Sequence, residues 1–226
     1  MGYLREIPHR FLRCFGRGVF HLATRATVLH ADRSRQQGGF LLASNHECPL
    51  DILVLERSCH RLMEWLSIPE VMGRPILGRF ARAMGAFAVD RSTRDAVGTR
   101  VLLERLKAGR VIGFFPEGRI PRRSEESMLH GAAPKAGIGG IAHMAGVPVV
   151  PAVLRDSRSL QGVTAWLPLR SARYGLIFGE PLWADPDLDR KAAAQDLEQR
   201  LAQAMTDLHA ELLASYSPKY GAPWER

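Results

Sequence analysis

Apolar positions recur along this chain in two rhythms. Short runs of four to eight read as buried strands, and longer stretches with apolar residues three or four apart read as helices. Residues 3–30 place Leu4, Ile7, Phe11, Phe15, Val19, Leu22, Ala26 and Leu29 on one face and Arg5, His9, Arg10, Arg13 and Arg17 on the other, which predicts an amphipathic helix. Gly16 and Gly18 weaken it locally and allow a bend. Residues 31–38 are polar and predict a loop. The run Gly39-Phe40-Leu41-Leu42-Ala43 predicts a buried strand, and a second apolar run, Ile52-Leu53-Val54-Leu55, belongs to a helix opened by Pro49. Further on, the pattern predicts strands over 61–68, 87–89, 111–115 and 147–154. Between them it predicts helices over 75–84 (stopped by Gly85), 92–107 (capped by Ser92, ended by Gly109) and 138–144 (stopped before Gly146). Residues 162–167 and 174–178 predict two more strands joined by a basic turn over 170–173. From Asp187 a closing helix carries Leu197, Leu201, Met205, Leu208 and Leu212 on one face, and beyond Ser217 proline and glycine predict a loose tail.

Strands alternating with helices predict an α/β fold with a largely parallel sheet flanked by helices. The predicted organisation is an amphipathic membrane-associating helix over 1–30, one α/β domain over 31–216 and the tail over 217–226. With 226 residues, the chain has room for one good core and is short for two. No internal repeat and no low-complexity segment interrupts it.

Charge narrows the class of partner. A formal net charge of +8 points to nucleic acid, anionic lipid or a phosphorylated substrate. Nucleic acid fits poorly, because the chain has no helix-turn-helix, zinc-finger or aromatic RNA-binding spacing. A basic helix with Phe and Leu on its apolar face suits an anionic membrane surface; the alternative is a helix docked on the protein's own core. No apolar run approaches the ~20 residues that span a bilayer, and arginines interrupt any signal-peptide core. Cys14, Cys48 and Cys59 form no disulfide framework, which fits a reducing compartment. The expectation is a peripheral protein on the cytoplasmic side of the cell membrane.

The chemistry concentrates in Ser44-Asn45-His46-Glu47-Cys48-Pro49-Leu50-Asp51. His46 falls on a strand-to-helix turn, and Asp51 falls in the first turn of the helix that follows. A carboxylate that fixes the tautomer of a histidine and stabilises its imidazolium makes a general base near neutral pH. A capping aspartate beside an incidental surface histidine would give the same spacing. Downstream stand Gly85-Ala86-Phe87-Ala88-Val89-Asp90-Arg91, then Phe115-Pro116-Glu117-Gly118-Arg119, then Val147-Pro148-Val149-Val150-Pro151-Ala152. In order and spacing these stretches and the His46–Asp51 pair resemble the four sequence blocks of the glycerolipid (lysophosphatidic-acid-type) acyltransferase family, over residues 39–154.

The resemblance implies direct transfer of a fatty acyl group from acyl-CoA or acyl carrier protein to the free hydroxyl of a lysophospholipid, with no cofactor and no metal. 1-Acylglycerol-3-phosphate is the commonest family acceptor. His46 and Asp51 would be catalytic. Arg91 and Arg119 would clamp phosphate, Lys135 in a lysine-x-glycine element would add a second phosphate contact, and Glu117 would hold an arginine or bind acceptor hydroxyls. Gly118 and Gly137 would serve the backbone by allowing positive φ or close approach. No Gly-x-Ser-x-Gly elbow is present, which also favours direct attack over an acyl-enzyme.

Two positions depart from the family pattern. Cys48 stands where serine is usual, and Arg119 stands where threonine usually precedes the arginine, leaving Ile120 in the usual arginine place. Glu117-Gly118-Arg119-Ile120 resembles a variant among members that reacylate lysophospholipids, so other lyso-lipids and amino-lipids stay open as acceptors. Three further readings use the same residues: a Cys48–His46 nucleophile, zinc on His46, Cys48, Cys59 and His60, and a lipid-binding protein without activity. The intact His46–Asp51 pair argues against the last.

Overall fold

The computed structural model describes residues 14, 18–67, 69–89, 96–135, 137–162, 165, 167 and 172–220. Seven strands form one sheet: β1 (Thr24–Leu29), β2 (Phe40–Ser44), β3 (Met63–Ser67), β4 (Phe87–Ala88), β5 (Val111–Phe114), β6 (Val149–Arg155) and β7 (Ala172–Phe178). Their order is β1-β7-β6-β2-β5-β3-β4. Neighbours are parallel except β6 and β7, which are antiparallel. The helices are α1 (Asp51–Ser58), α2 (Pro69–Met72), α3 (Pro75–Ala83), α4 (Ala96–Lys107), α5 (Ile138–Ala145) and α6 (Arg190–Ser215). This is the predicted α/β domain with a mostly parallel sheet.

The apolar runs are continuous because both faces of the sheet are covered. Successive residues of a strand point to opposite sides. Leu41 and Ala43 of β2, with Ile112, Val153 and Ile177, pack under Leu197, Leu201, Met205 and Leu208 of α6. Phe40 and Leu42, with Val111, Val150 and Leu176, pack against Val54 and Leu55 of α1 and against Trp65. Asp189 caps α6, its side chain accepting the Lys191 and Ala192 N–H groups at 2.8 and 3.0 Å. Among the described residues no helix is long and apolar enough to cross a membrane.

The first predicted helix needs correction. Residues 18–23 are helical, but Thr24–Leu29 is a strand, paired in parallel with β7 from Thr24↔Ala172 to Leu29↔Ile177. Thr24, Thr27 and Val28 are β-branched and suit a strand, and the Thr24 hydroxyl closes the helical turn by donating to the Phe20 carbonyl at 2.7 Å. As an edge strand, β1 is buried irregularly, which let it pass for a helical stripe. Phe20 is buried while Leu22, assigned to the apolar face, is 58% exposed. Residues 1–13 and 15–17, which carry the arginine face, lie outside the described residues.

Two smaller corrections follow. Residues 162–167 do not form a strand where they are described: the 3-10 turn Ser157–Gln161 leads into a turn in which the Ala165 N–H donates to the Gly162 carbonyl at 3.0 Å. The tail is also tethered as far as Tyr220. Lys219 and Tyr220 donate their N–H groups to the buried Asp156 carboxylate at 2.7 and 2.9 Å.

Candidate active site

β2 lies between β6 and β5, so three loops leave the carboxyl edge of the sheet side by side, where open α/β sheets bind ligands. The loop after β2 is fixed first by Asn45. Its side chain donates to the Leu154 carbonyl at 2.9 Å and accepts the Leu154 N–H at 2.8 Å, tying the loop to β6. The next residue, His46, donates its backbone N–H to Glu117 Oε2 at 2.8 Å, which ties it to the loop after β5. Its ring stacks on Phe115, with centroids 4.0 Å apart.

Asp51, fully buried in the first turn of α1, closes the loop on itself. Its Oδ2 accepts from His46 Nδ1 at 2.7 Å, from the Glu47 N–H at 2.7 Å and from the Cys48 N–H at 3.0 Å. Its Oδ1 accepts from the Ser157 hydroxyl and from Cys48 Sγ at 3.4 Å. An oxygen already taking two backbone N–H groups has no proton to give, so this network assigns the proton of the neutral ring to Nδ1 and leaves the Nε2 lone pair free. The ring keeps 17% of its side-chain surface exposed. Such a pair can accept a proton at Nε2 and hold the resulting imidazolium against a carboxylate.

Glu117 joins the two sides of the site. While Oε2 holds His46, Oε1 accepts the Met128 N–H at 3.0 Å and the Ser127 hydroxyl at 3.1 Å. Burial pushes its carboxyl up to about 7, against the pull of those donors. Gly118, with φ at 74°, turns the chain out of this loop as its glycine predicted. A cleft of about 280 Å³ opens beside Glu117, with Arg119, Glu125, Glu126 and Lys135 among its walls. Lys135 is brought there by its N–H, which donates to the Pro116 carbonyl at 2.8 Å. Gly137, two residues on, has φ at 116°.

The structure therefore joins His46 to Asp51 and to Glu117, and Glu117 lines one cleft with Arg119 and Lys135. Arg119 departs from expectation in one respect: it pairs with Glu126 at 2.8 Å and is 60% exposed. Arg91 lies outside the described residues. Cys48 does not suit a nucleophile, because burial and the Asp51 carboxylate push its thiol up to about 12. The zinc reading also fails on geometry. His60 turns to Ser34 and to the Ala31 carbonyl, and among the described residues no group of three or more His, Cys, Asp and Glu side chains could hold an ion.

The sequence reading passed over Asn45, Glu47, Phe115, Arg155 and Ser157. Glu47 is buried in an ion pair with Arg155 at 3.0 Å, and it accepts the Ser157 N–H at 3.2 Å. Burial pushes its carboxyl up to about 8, opposed by Arg155 and reinforced by Asp51 and Asp156. One signal did mark this cluster: Arg155-Asp156-Ser157 turns abruptly polar at the carboxyl end of an apolar strand.

Known proteins resemble this chain in sequence and in fold. The family model described as Acyltransferase matches residues 25–155. A 1-acyl-sn-glycerol-3-phosphate acyltransferase of Bacillus subtilis (strain 168) is 30% identical over 183 residues, covering 78% of this chain and 86% of that protein. A lyso-ornithine lipid O-acyltransferase of Brucella abortus (strain 2308) is 28% identical over 225 residues, covering 88% and 82%. The crystal structure of the 1-acyl-sn-glycerophosphate (LPA) acyltransferase PlsC from Thermotoga maritima shares the fold, with a TM-score of 0.65 at 20% identity over 94% of this chain and 83% of that one.

Proposed function

The chain belongs to the Acyltransferase family, and on that premise we propose that it moves a fatty acyl group from acyl-CoA or acyl carrier protein to the free hydroxyl of 1-acylglycerol-3-phosphate. His46 is the general base and Asp51 its partner. The observation that carries this reading is the 2.7 Å bond from His46 Nδ1 to a buried carboxylate, in a loop held at its backbone by Glu117. The acceptor hydroxyl gives its proton to Nε2 as its oxygen attacks the thioester carbonyl. The tetrahedral intermediate then collapses, the carbon–sulfur bond breaks, and the imidazolium returns the proton to the departing thiolate. Asp51 steadies the ring charge between the two steps. Arg119 and Lys135, in the cleft beside Glu117, bind the acceptor phosphate, with Arg91 joining them as the family resemblance implies. The reaction takes place at the cytoplasmic face of the membrane that holds the acceptor.

A second acceptor class is favoured by one observation. Glu126 engages the Arg119 guanidinium, and Glu125 shares the cleft, so carboxylates stand there beside the cations. An ornithine head group carries a cationic amine that such carboxylates fit, and lyso-ornithine lipid is the acceptor named for the Brucella relative.

The test is purified protein assayed with lysophosphatidic acid, lyso-ornithine lipid and lysophosphatidylethanolamine, each with acyl-CoA and with acyl carrier protein as donor. Thioester consumed only when a lyso-lipid is present supports the reading. Release of the acyl group to water would make the protein a hydrolase, and binding without turnover would make it a lipid binder. Replacing His46 by alanine abolishes transfer with the fold intact, and retained activity would end the mechanism. Arg119→Ala raises the acceptor KM and leaves kcat little changed; an unchanged KM would remove Arg119 from the clamp.

A further inference from the structure

Asp51 is held from two sides, and only one of them is local. Oδ2 takes donors from its own loop, whereas Oδ1 takes the Ser157 hydroxyl, 106 residues away in the turn that follows β6. Its other neighbour there is Cys48 Sγ at 3.4 Å, a weak donor. Ser157 is fully buried, and its own backbone is braced by Glu47 Oε2, which accepts its N–H at 3.2 Å. Glu47 is braced in turn by the ion pair with Arg155, whose Nη1 meets His209 Nε2 at 2.9 Å. A chain of buried polar groups thus runs from α6 through β6 to the far oxygen of the carboxylate that orients His46.

We propose that Ser157 is a positioning residue of the acyl transfer: its hydroxyl supplies the strong donor to Asp51 Oδ1, and so sets both the orientation of the carboxylate and how hard it holds the His46 Nδ1 proton. The proposal rests on the His46–Asp51 reading and extends it. A carboxylate shared among more donors is a weaker acceptor for each of them. Removing the Ser157 donor leaves Oδ1 with a thiol alone, frees Asp51 to turn about χ2, and lets it bind the imidazolium proton more tightly. The titratable and charged groups around the ring are Asp51 on α1, Glu47 and Cys48 on the same loop and Glu117 after β5. Behind Glu47 stand Arg155 at the end of β6 and His209 on α6. Of these, Cys48 donates to Asp51 Oδ1, at 3.4 Å, and a thiol is too weak a donor to replace the hydroxyl.

The experiment compares S157A, S157C and S157T with wild type by two readouts. The first is transfer to the lyso-lipid that wild type uses. For S157A, kcat falls about ten- to hundredfold, the scale of one hydrogen bond to a charged group. KM for donor and acceptor holds steady, and the acid limb of kcat/KM moves to higher pH. S157C, similar in shape but a weak donor, falls between S157A and wild type, and S157T restores the rate. The second readout is the NMR titration of His46 in protein without substrate, where the S157A midpoint moves to higher pH than wild type. A merely structural serine would lower thermal stability and leave both pH readouts in place. Wild-type kcat and an unmoved midpoint in S157A overturn the proposal, as does a wild-type rate in S157C should S157A fail to fold. If wild type transfers no acyl group to any lyso-lipid, the function reading fails, and the NMR titration still decides whether Ser157 tunes His46.

Discussion

Replacing Asp51 by asparagine separates the orientation of His46 from the charge that serves it. The amide can sit in the same place without a clash. Its carbonyl oxygen takes the Oδ2 position and keeps the His46, Glu47 and Cys48 N–H donors, while its NH₂ faces the Ser157 hydroxyl, which can accept as readily as donate. The fold should therefore survive with a Tm change under about 4 °C, equivalent to roughly 1 kcal/mol in a chain of this size. The imidazolium, however, loses its counter-charge. Charges about 4 Å apart at an effective dielectric of 20 attract by about 4 kcal/mol, and at 1.4 kcal/mol per tenfold this is about a thousandfold in rate. The assay is release of free thiol from the acyl thioester at saturating acceptor, with KM measured alongside. A folded D51N enzyme whose kcat stays within tenfold of wild type would refute the argument, since orientation alone would then suffice.

Three further outcomes test the surroundings. Asn45→Ala removes both side-chain bonds to Leu154 and leaves two buried backbone groups unpaired at about 1–3 kcal/mol each, so chemical denaturation should show a loss of about 2–6 kcal/mol; a loss under about 0.5 kcal/mol would mean that the loop is held by something else. The Glu117 carboxyl ionises near 4.5 when unfolded and at about 7 when folded. The native state therefore holds the extra proton between those values, and stability falls as pH rises from 4.5 to 7. At 1.36 kcal/mol per pH unit, this amounts to about 3 kcal/mol. E117Q should flatten the change in stability between pH 5 and pH 8, and an unaltered slope would contradict it. Cys48, with its thiol pushed up to about 12, should resist alkylation in the folded protein at pH 8, and C48S should keep its activity; rapid labelling or loss of turnover would reopen the thiol as a participant.

What the sequence made legible was mostly local. His46 and Asp51 meet across five residues within one turn, so their spacing carries their geometry. The turn after β5 gave Glu117 and Gly118 for the same reason. Long apolar runs covered on both faces identified the parallel strands, whereas β1, half-covered at the edge, imitated a helical stripe until its pairing with β7 settled it. Arg119 lines the cleft beside Glu117, but its partner Glu126 lies across the loop and had no motif to mark it. The groups that brace the site were the least visible. Asn45 reaches Leu154 across 109 residues and Glu47 reaches Ser157 across 110, and only the fold creates such contacts.

Asp156 stands one residue before Ser157, in a left-handed backbone conformation and fully buried, and the bonds its carboxylate accepts come from Tyr216, Lys219 and Tyr220. The serine beneath the reactive carboxylate is thus seated by a segment some sixty residues further along. Any fragment cut ahead of Tyr216 would strand a negative charge next to it, and during synthesis the histidine loop can settle into working order only once that late segment has docked.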